Sequence, residues 1–268
     1  MTNVLTTGYS QKAMQRNMNE KLGSLPSLQI REMLRHDLLT YFTPNPGWDP
    51  KDIKWFDGCG PQLAARMGLQ KYLSGSDIIV FDVGCNIAPP LDDFTGLVLH
   101  HFPDCKVHGF EPVHWEEYKE TYKQDERVDL HKIALSENDC LKKIYSPSAS
   151  GLSSFHFRKS WQRWEEEDQQ QIQEKRVECR SIDSFSEEMR INHIDYLKLD
   201  CEGAEFEVLL GASRLISQRR IYLIQVEDQT GFCEDAGFDS QTSISLFLEQ
   251  NGYEPVVYDG QDFVWRLK

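Results

Sequence analysis

The chain lacks the signatures of several common protein classes. Its seven cysteines form no CxxC pair, so neither a disulfide framework nor a structural zinc site has the spacing it needs. No apolar run approaches the ~18 residues that cross a bilayer. The polar stretch from Met1 to Glu20 has no apolar core of signal-peptide length. Basic residues are in deficit, with 29 Lys and Arg against 43 Asp and Glu and a formal net charge of −14. That balance argues against a broad, sequence-independent grip on DNA or RNA, which depends on clustered cations. Glycine is also missing where nucleotide loops want it. GxGxxG and GxxxxGK[ST] are both absent, which disfavours a dinucleotide site and a P-loop. Scattered thiols and the absence of a membrane or leader signal lead us to expect a cytoplasmic chain with no membrane or nucleic-acid partner.

What is present suits a globular α/β protein. Hydrophobic residues make up 40% of the 268 and charged residues 27%, enough to bury a sizeable core. Residues 1–75 read as a helical N-terminal cap that shapes a substrate region. Helical spacing runs from Leu28 to Phe42, Thr43-Pro44-Asn45-Pro46-Gly47 breaks it, and a second helix is expected over Gln62 to Tyr72. From residue 76 to 268 strands and helices alternate. Strands are expected at Ile78–Phe81, Lys106–Phe110, Val128–Ile133, Ile194–Leu199 and Ile221–Val226. Helices are expected at Leu91–His101, Trp115–Lys123, Ala204–Ser217 and Thr242–Asn251, with a hairpin from Glu254–Tyr258 and Phe263–Arg266. This rhythm predicts a Rossmann-like, doubly wound, mostly parallel sheet. His156 to Arg176 is rich in Glu, Gln and Trp and reads as an exposed helical insertion. Its Trp161 and Trp164 either pack or shape an acceptor pocket.

In such a sheet ligands bind at the carboxyl ends of the strands, near the point where strand order reverses. Those ends are Asp82-Val83-Gly84-Cys85-Asn86, Glu111-Pro112, Ala134-Leu135-Ser136, Asp200-Cys201-Glu202-Gly203 and Glu227-Asp228. Four of the five carry carboxylates. Gly84 permits a tight turn and a close approach of backbone to ligand. Glu111 is placed to accept from both hydroxyls of a ribose. A carboxylate-rich rim suits a sulfonium cation better than a pyrophosphate, so the residues favour S-adenosylmethionine over NAD or ATP.

The sequence resembles the FkbM family of S-adenosylmethionine-dependent methyltransferases. The segments that carry the likeness occur in family order: Phe81 to Ile87, Phe110-Glu111-Pro112, Ile133 to Ser136, Ser153-Ser154, Ser181 to Phe185, Ile194 to Glu205, Leu209 to Ala212 and Val226-Glu227. The most discriminating is Lys198-x-Asp200-x-Glu202-Gly203-x-Glu205. One departure is Ala88-Pro89-Pro90, where the family usually has glycine after Asn86-Ile87. The resemblance implies O-methylation of a hydroxyl on a sugar, glycan or secondary metabolite. N- or carboxyl-methylation, or a catalytically silent adenosyl-binding module, are the alternatives. Cofactor contacts are expected from Asp82, Gly84, Cys85, Asn86, Glu111, Pro112, Ala134, Leu135, Ser154 and Asp200. Asp200, Glu202 and Lys198 are the catalytic candidates, with Asp200 nearest the chemistry. His114 and His156 are weaker candidates for a base. A divalent metal on Asp200, Glu202 and Glu227 is conceivable, but no spacing demands one.

Overall fold

The computed structural model describes residues 62–86, 93–147, 152–159, 161, 171–227, 241–258 and 262–268. In chain order these form α1 (Gln62–Tyr72), β1 (Ile79–Val83), α2 (Phe94–His101), β2 (Lys106–Phe110), α3 (Trp115–Tyr122), β3 (Val128–His131), β4 (Ala134–Leu135) and β5 (Cys140–Pro147). They continue with β6 (Ile172–Arg180), α4 (Ile182–Glu188), β7 (Ile194–Leu199), α5 (Glu205–Leu210), α6 (Ser213–Ser217), β8 (Ile221–Glu227), α7 (Gln241–Gln250), β9 (Tyr253–Tyr258) and β10 (Asp262–Leu267). Seven strands make one sheet in the order β3-β2-β1-β7-β8-β10-β9. All its pairings are parallel except those of β10, which runs antiparallel to β8 and β9. Strand order reverses between β1 and β7, so a ligand crevice is expected above that junction. Among the described residues no helix is long and apolar enough to cross a membrane.

Both faces of the sheet are covered, which is why its strands are apolar without alternation. One face packs Phe81, Leu197, Leu199 and Ile224 against Phe185, Val208 and Leu215. The other packs Val80, Val107, Tyr196 and Val264 against Leu69, Leu73 and Val98. Leu69 and Leu73 come from α1 and its C-terminal flank. The helix that the sequence reading groups with an N-terminal cap is therefore a layer of the sheet domain. Residues 1–61 of that expected cap lie outside the described residues, as do Ala88-Pro89-Pro90, Trp164 and Asp228.

Three of the expected elements are recast, each for a local reason, and β4, β5 and α4 have no counterpart in the sequence reading. The helix expected from Leu91 starts at Phe94, because the Asp93 side chain caps it by accepting from Gly96 N at 2.8 Å. The helix expected over Ala204–Ser217 is two helices broken at Gly211-Ala212. A Cβ on Gly211 would lie 2.1 Å from the Ser136 carbonyl oxygen. The Asp183 carboxylate then accepts from Arg214 N and Leu215 N at 2.7 and 3.1 Å, capping the second piece. The expected helical insertion over 156–176 ends instead in β6. Arg176 and Glu178 of β6 are exposed while Val177 and Cys179 are buried, an alternation with period two over its C-terminal part. β6 pairs antiparallel with β5 and parallel with β4 in a second, three-stranded sheet.

The aromatic centre carries a pH liability. His108 Nδ1 lies 3.1 Å from His131 Nε2, and both rings contact Phe185. Burial, followed by the His131 charge, lowers the His108 pKa from 6.5 to about 4. The neutral imidazole is thus the folded form, and its contribution is complete above pH 6.5. It is lost as pH falls from 6.5 toward 4, by about 3 kcal/mol at the lower end. Urea unfolding at pH 7.5 and 4.5 should show this loss, and His108→Phe should flatten it. An unchanged slope in that variant would assign acid sensitivity to other groups.

Candidate functional site

Above the β1–β7 junction lies a concave cleft, at the switch in strand order where a ligand crevice is expected. It is lined by Val83 to Asn86 after β1, by Phe110 to Pro112 and His114 after β2, and by Ala134 and Leu135 of β4. Ile144 of β5, Ser153 to Phe155, and Asp200, Cys201, Glu202 and Ala204 after β7 complete it. Of the expected site residues, Gly84, Cys85, Asn86, Glu111, Pro112, Ala134, Leu135, Ser154, Asp200 and Glu202 line this cleft. Asp82 and Lys198 do not. They lie one layer below, where the Lys198 side chain is 4% and that of Asp82 1% exposed.

The loop after β1 is shaped by its neighbours. Gly84 N and Cys85 N both donate to the Phe110 carbonyl, at 2.9 and 3.2 Å. Gly84 has φ +74, and a Cβ there would lie 1.8 Å from the Asp200 carbonyl oxygen. Glycine is thus needed for the approach of two strand ends to each other. Burial, with Asp82 and Glu111 adding negative charge, pushes the Cys85 thiol well up. It stays protonated and acts as an apolar wall.

Glu111 accepts through Oε1 from Val113 N and His114 N, each at 2.7 Å. Burial raises its carboxyl, and those two backbone donors oppose the rise. His114 precedes α3 without a capping bond from its side chain, and its Nε2 is 3.2 Å from Ser146 Oγ. Its pKa is lowered by burial.

Each polar residue of the Lys198–Glu205 segment has its own task. Lys198 Nζ sits 3.4 Å from Asp82 Oδ1 and 3.2 Å from Asp200 Oδ2. Asp82 Oδ2 accepts from Thr95 Oγ1 at 2.8 Å. Since that spends the Thr95 proton, the Tyr118 hydroxyl 2.6 Å away donates to Thr95. Glu205, fully buried, accepts through Oε1 from Cys201 N and Gly203 N at 2.9 and 3.1 Å. It ties the loop into a tight turn in which Glu202 and Gly203 have φ of +57 and +97. A positive φ at a residue other than glycine is uncommon and is concentrated at functional sites. Glu202 lines the cleft and its carboxylate pairs with Arg158, which is not among the lining residues. Burial, then the Asp200 charge, raises the Glu202 pKa to about 7, with Arg158 opposing. Ser154 Oγ donates to the Glu202 carbonyl at 2.6 Å, and Ser154 bridges through its backbone to Tyr145 of β5.

Glu227 is one of the strand-end carboxylates read from the sequence, whereas Asp262 beside it carried little signal there. Glu227 ends β8, and its carboxyl hydrogen-bonds that of Asp200; burial, then Asp200 and Asp262, hold it protonated. Asp262 faces Glu227 across the β8–β10 ladder and is itself buried. Arg158 was also missed, because nothing in its spacing links it to Glu202. Among the described residues no group of three or more His, Cys, Asp or Glu is arranged to hold a metal ion. Of the two histidines considered as bases, His114 lines the cleft, whereas His156 Nε2 lies 3.7 Å from Glu207 Oε1.

A comparison with curated proteins finds no match. Among solved structures, the crystal structure of a methyltransferase FkbM from Methylobacillus flagellatus KT is similar at 15% identity and a TM-score of 0.45. That match covers 94% of this chain and 58% of the other, so the chain spans less than two thirds of that protein's length. The family model described as the methyltransferase FkbM domain matches residues 82–255. That match takes in both cleft-forming loops and well over half of the sequence, and the chain belongs to the FkbM methyltransferase-domain family.

Proposed function

We propose that the cleft binds S-adenosylmethionine and that the chain methylates a hydroxyl of a sugar, glycan or secondary metabolite, in the cytoplasm and without a nucleic-acid or membrane partner. The observation that carries the reading is the pair of carboxylates on either side of the Gly84 loop. Glu111, after β2, has backbone-fixed acceptor oxygens suited to a ribose diol. Glu202, after β7, titrates near neutrality. Phe110, Ala134, Leu135 and Ile144 supply apolar wall for a purine. No Lys or Arg is among the described lining residues, which suits a cationic sulfonium and disfavours a pyrophosphate.

When bound, S-adenosylmethionine supplies the electrophilic methyl group, and the remaining work falls to the chain. Asp200, held by Lys198 from below and by the protonated Glu227 from the side, is a fixed negative charge at the reacting end. Those donors occupy the oxygens of Asp200, which leaves Glu202 as the base, since a base whose pKa lies near ambient pH combines availability with driving force. The Ser153–Phe155 segment, pinned to Glu202 by Ser154, helps keep water from that carboxylate. Holding acceptor oxygen and methyl donor in line supplies much of the remaining acceleration.

Calorimetric titration with S-adenosylhomocysteine tests the cofactor half, and labelled S-adenosylmethionine with a panel of hydroxylated acceptors, read by mass spectrometry, tests the reaction. Glu111→Ala should weaken S-adenosylhomocysteine by about 10- to 100-fold, the worth of hydrogen bonds to a charged acceptor. Absence of binding by the wild-type chain would overturn the whole reading. Binding with transfer only to amines or carboxylates would overturn the acceptor class alone.

A further inference from the structure

We propose that Cys140 and Cys179 form an oxidative modification site, at which a low-molecular-weight disulfide is reduced to two thiols while a cross-strand protein disulfide forms. The inference is independent of the methyltransferase reading. All described cysteines are free thiols. Cys140 opens β5 and Cys179 lies directly opposite it on β6 in an antiparallel ladder. Directly opposed residues in such a ladder have Cα atoms about 4.5 or 5.5 Å apart, and both spacings fall within the range that a disulfide spans. Opposed side chains also share one face of the sheet. Among the described residues this is the one pair of cysteines in direct register.

The two thiols differ in a way that orders the reaction. Cys140 is exposed and Cys179 is buried. The external disulfide therefore meets Cys140 first. The Cys140 thiolate attacks one sulfur, a mixed disulfide forms and the first small thiol leaves. Cys179 then loses its proton, attacks the Cys140 sulfur and expels the second small thiol. Two protein thiols are oxidised and one disulfide bond is reduced, so electrons balance with no further reagent. Burial, then neighbouring Cys140, raises the Cys179 pKa to about 12. The second step is therefore the slower one and accelerates as pH rises.

The position gives the bond a consequence. Cys179 packs with Ala134, Ile144, Val177 and Phe155, and Ala134 is its parallel partner on β4. Ala134, Ile144 and Phe155 line the cleft. The bond would thus staple the base of the ribbon that carries part of the cleft wall. It would also close a long loop containing Ser154 and Arg158.

The test is incubation of the full chain in glutathione redox buffers at pH 7.5 and 8.5, with intact mass and peptide mapping under non-reducing conditions. The expected result is a loss of two hydrogens and a Cys140–Cys179 linked peptide, formed faster at pH 8.5. The melting temperature should rise by on the order of 5 °C through loop closure. Cys179→Ala should stop at a glutathione adduct on Cys140, and Cys140→Ser should leave Cys179 unmodified. A wild-type adduct on Cys140 that persists with Cys179 still free would overturn the proposal. So would an unreacted Cys140, or modification of Cys179 in Cys140→Ser.

Discussion

Replacing Glu202 with Gln is expected to lower kcat by about 10²- to 10⁴-fold while leaving S-adenosylhomocysteine binding within a few-fold of wild type. Gln keeps the size of the side chain and can still accept from Arg158, so the turn should survive; what is lost is the capacity to take the acceptor proton. The wild-type profile should report the same group. Activity needs the ionised carboxylate, so kcat/KM should rise about tenfold per pH unit in the acid limb and level off above a midpoint near 7, where burial and the Asp200 charge set the Glu202 pKa. Arg158 holds that value down. Arg158→Met should therefore move the midpoint to higher pH, an effect a purely structural ion pair would not produce. A flat profile between pH 5.5 and 8.5, or near-normal turnover in Glu202→Gln, would remove Glu202 as the base.

How far this site could be read from sequence depends on which force places each residue. The sheet was legible because burial on both faces leaves continuous apolar runs, as in Ile194–Leu199. The strand-end residues followed from topology, since one residue past a parallel strand is already at the ligand edge. That logic put Gly84, Glu111, Asp200 and Glu202 in the cleft. It could not say how deep each lies. Asp82 and Lys198 face each other in the β1–β7 register, buried and outside the cleft lining, and only three-dimensional pairing reveals it. The second sheet was missed for a different reason. β6 is exposed along most of its length, so its charged residues read as a solvated helix, while its inward signal rests on Val177 and Cys179 alone. Arg158 and Asp262 act through partners 44 and 35 residues away in sequence, Glu202 and Glu227, and no local pattern encodes such a contact.

The largest stability effect is expected at Lys198. Lys198→Met keeps most of the side-chain volume over the Phe94 ring, which the Nζ faces at 6.0 Å, but removes the cation between two carboxylates. Asp82 is left almost fully buried, accepting from Thr95 Oγ1. Removing one partner of a buried ion pair costs about 3–5 kcal/mol, because the other charge stays desolvated and uncompensated. The melting temperature should fall by about 10 °C. If the loss is electrostatic, neutralising the stranded acid should restore part of it. Asp82→Asn added to Lys198→Met should recover half or more, since Asn can still accept from Thr95. Were the loss one of packing, the second substitution would bring none of it back. The double variant also separates floor from cleft. With the fold rescued, Asp200 still lacks the cation below it, so transfer should stay impaired even though the protein is folded. A double variant that is both stable and fully active would show that Lys198 does not position Asp200.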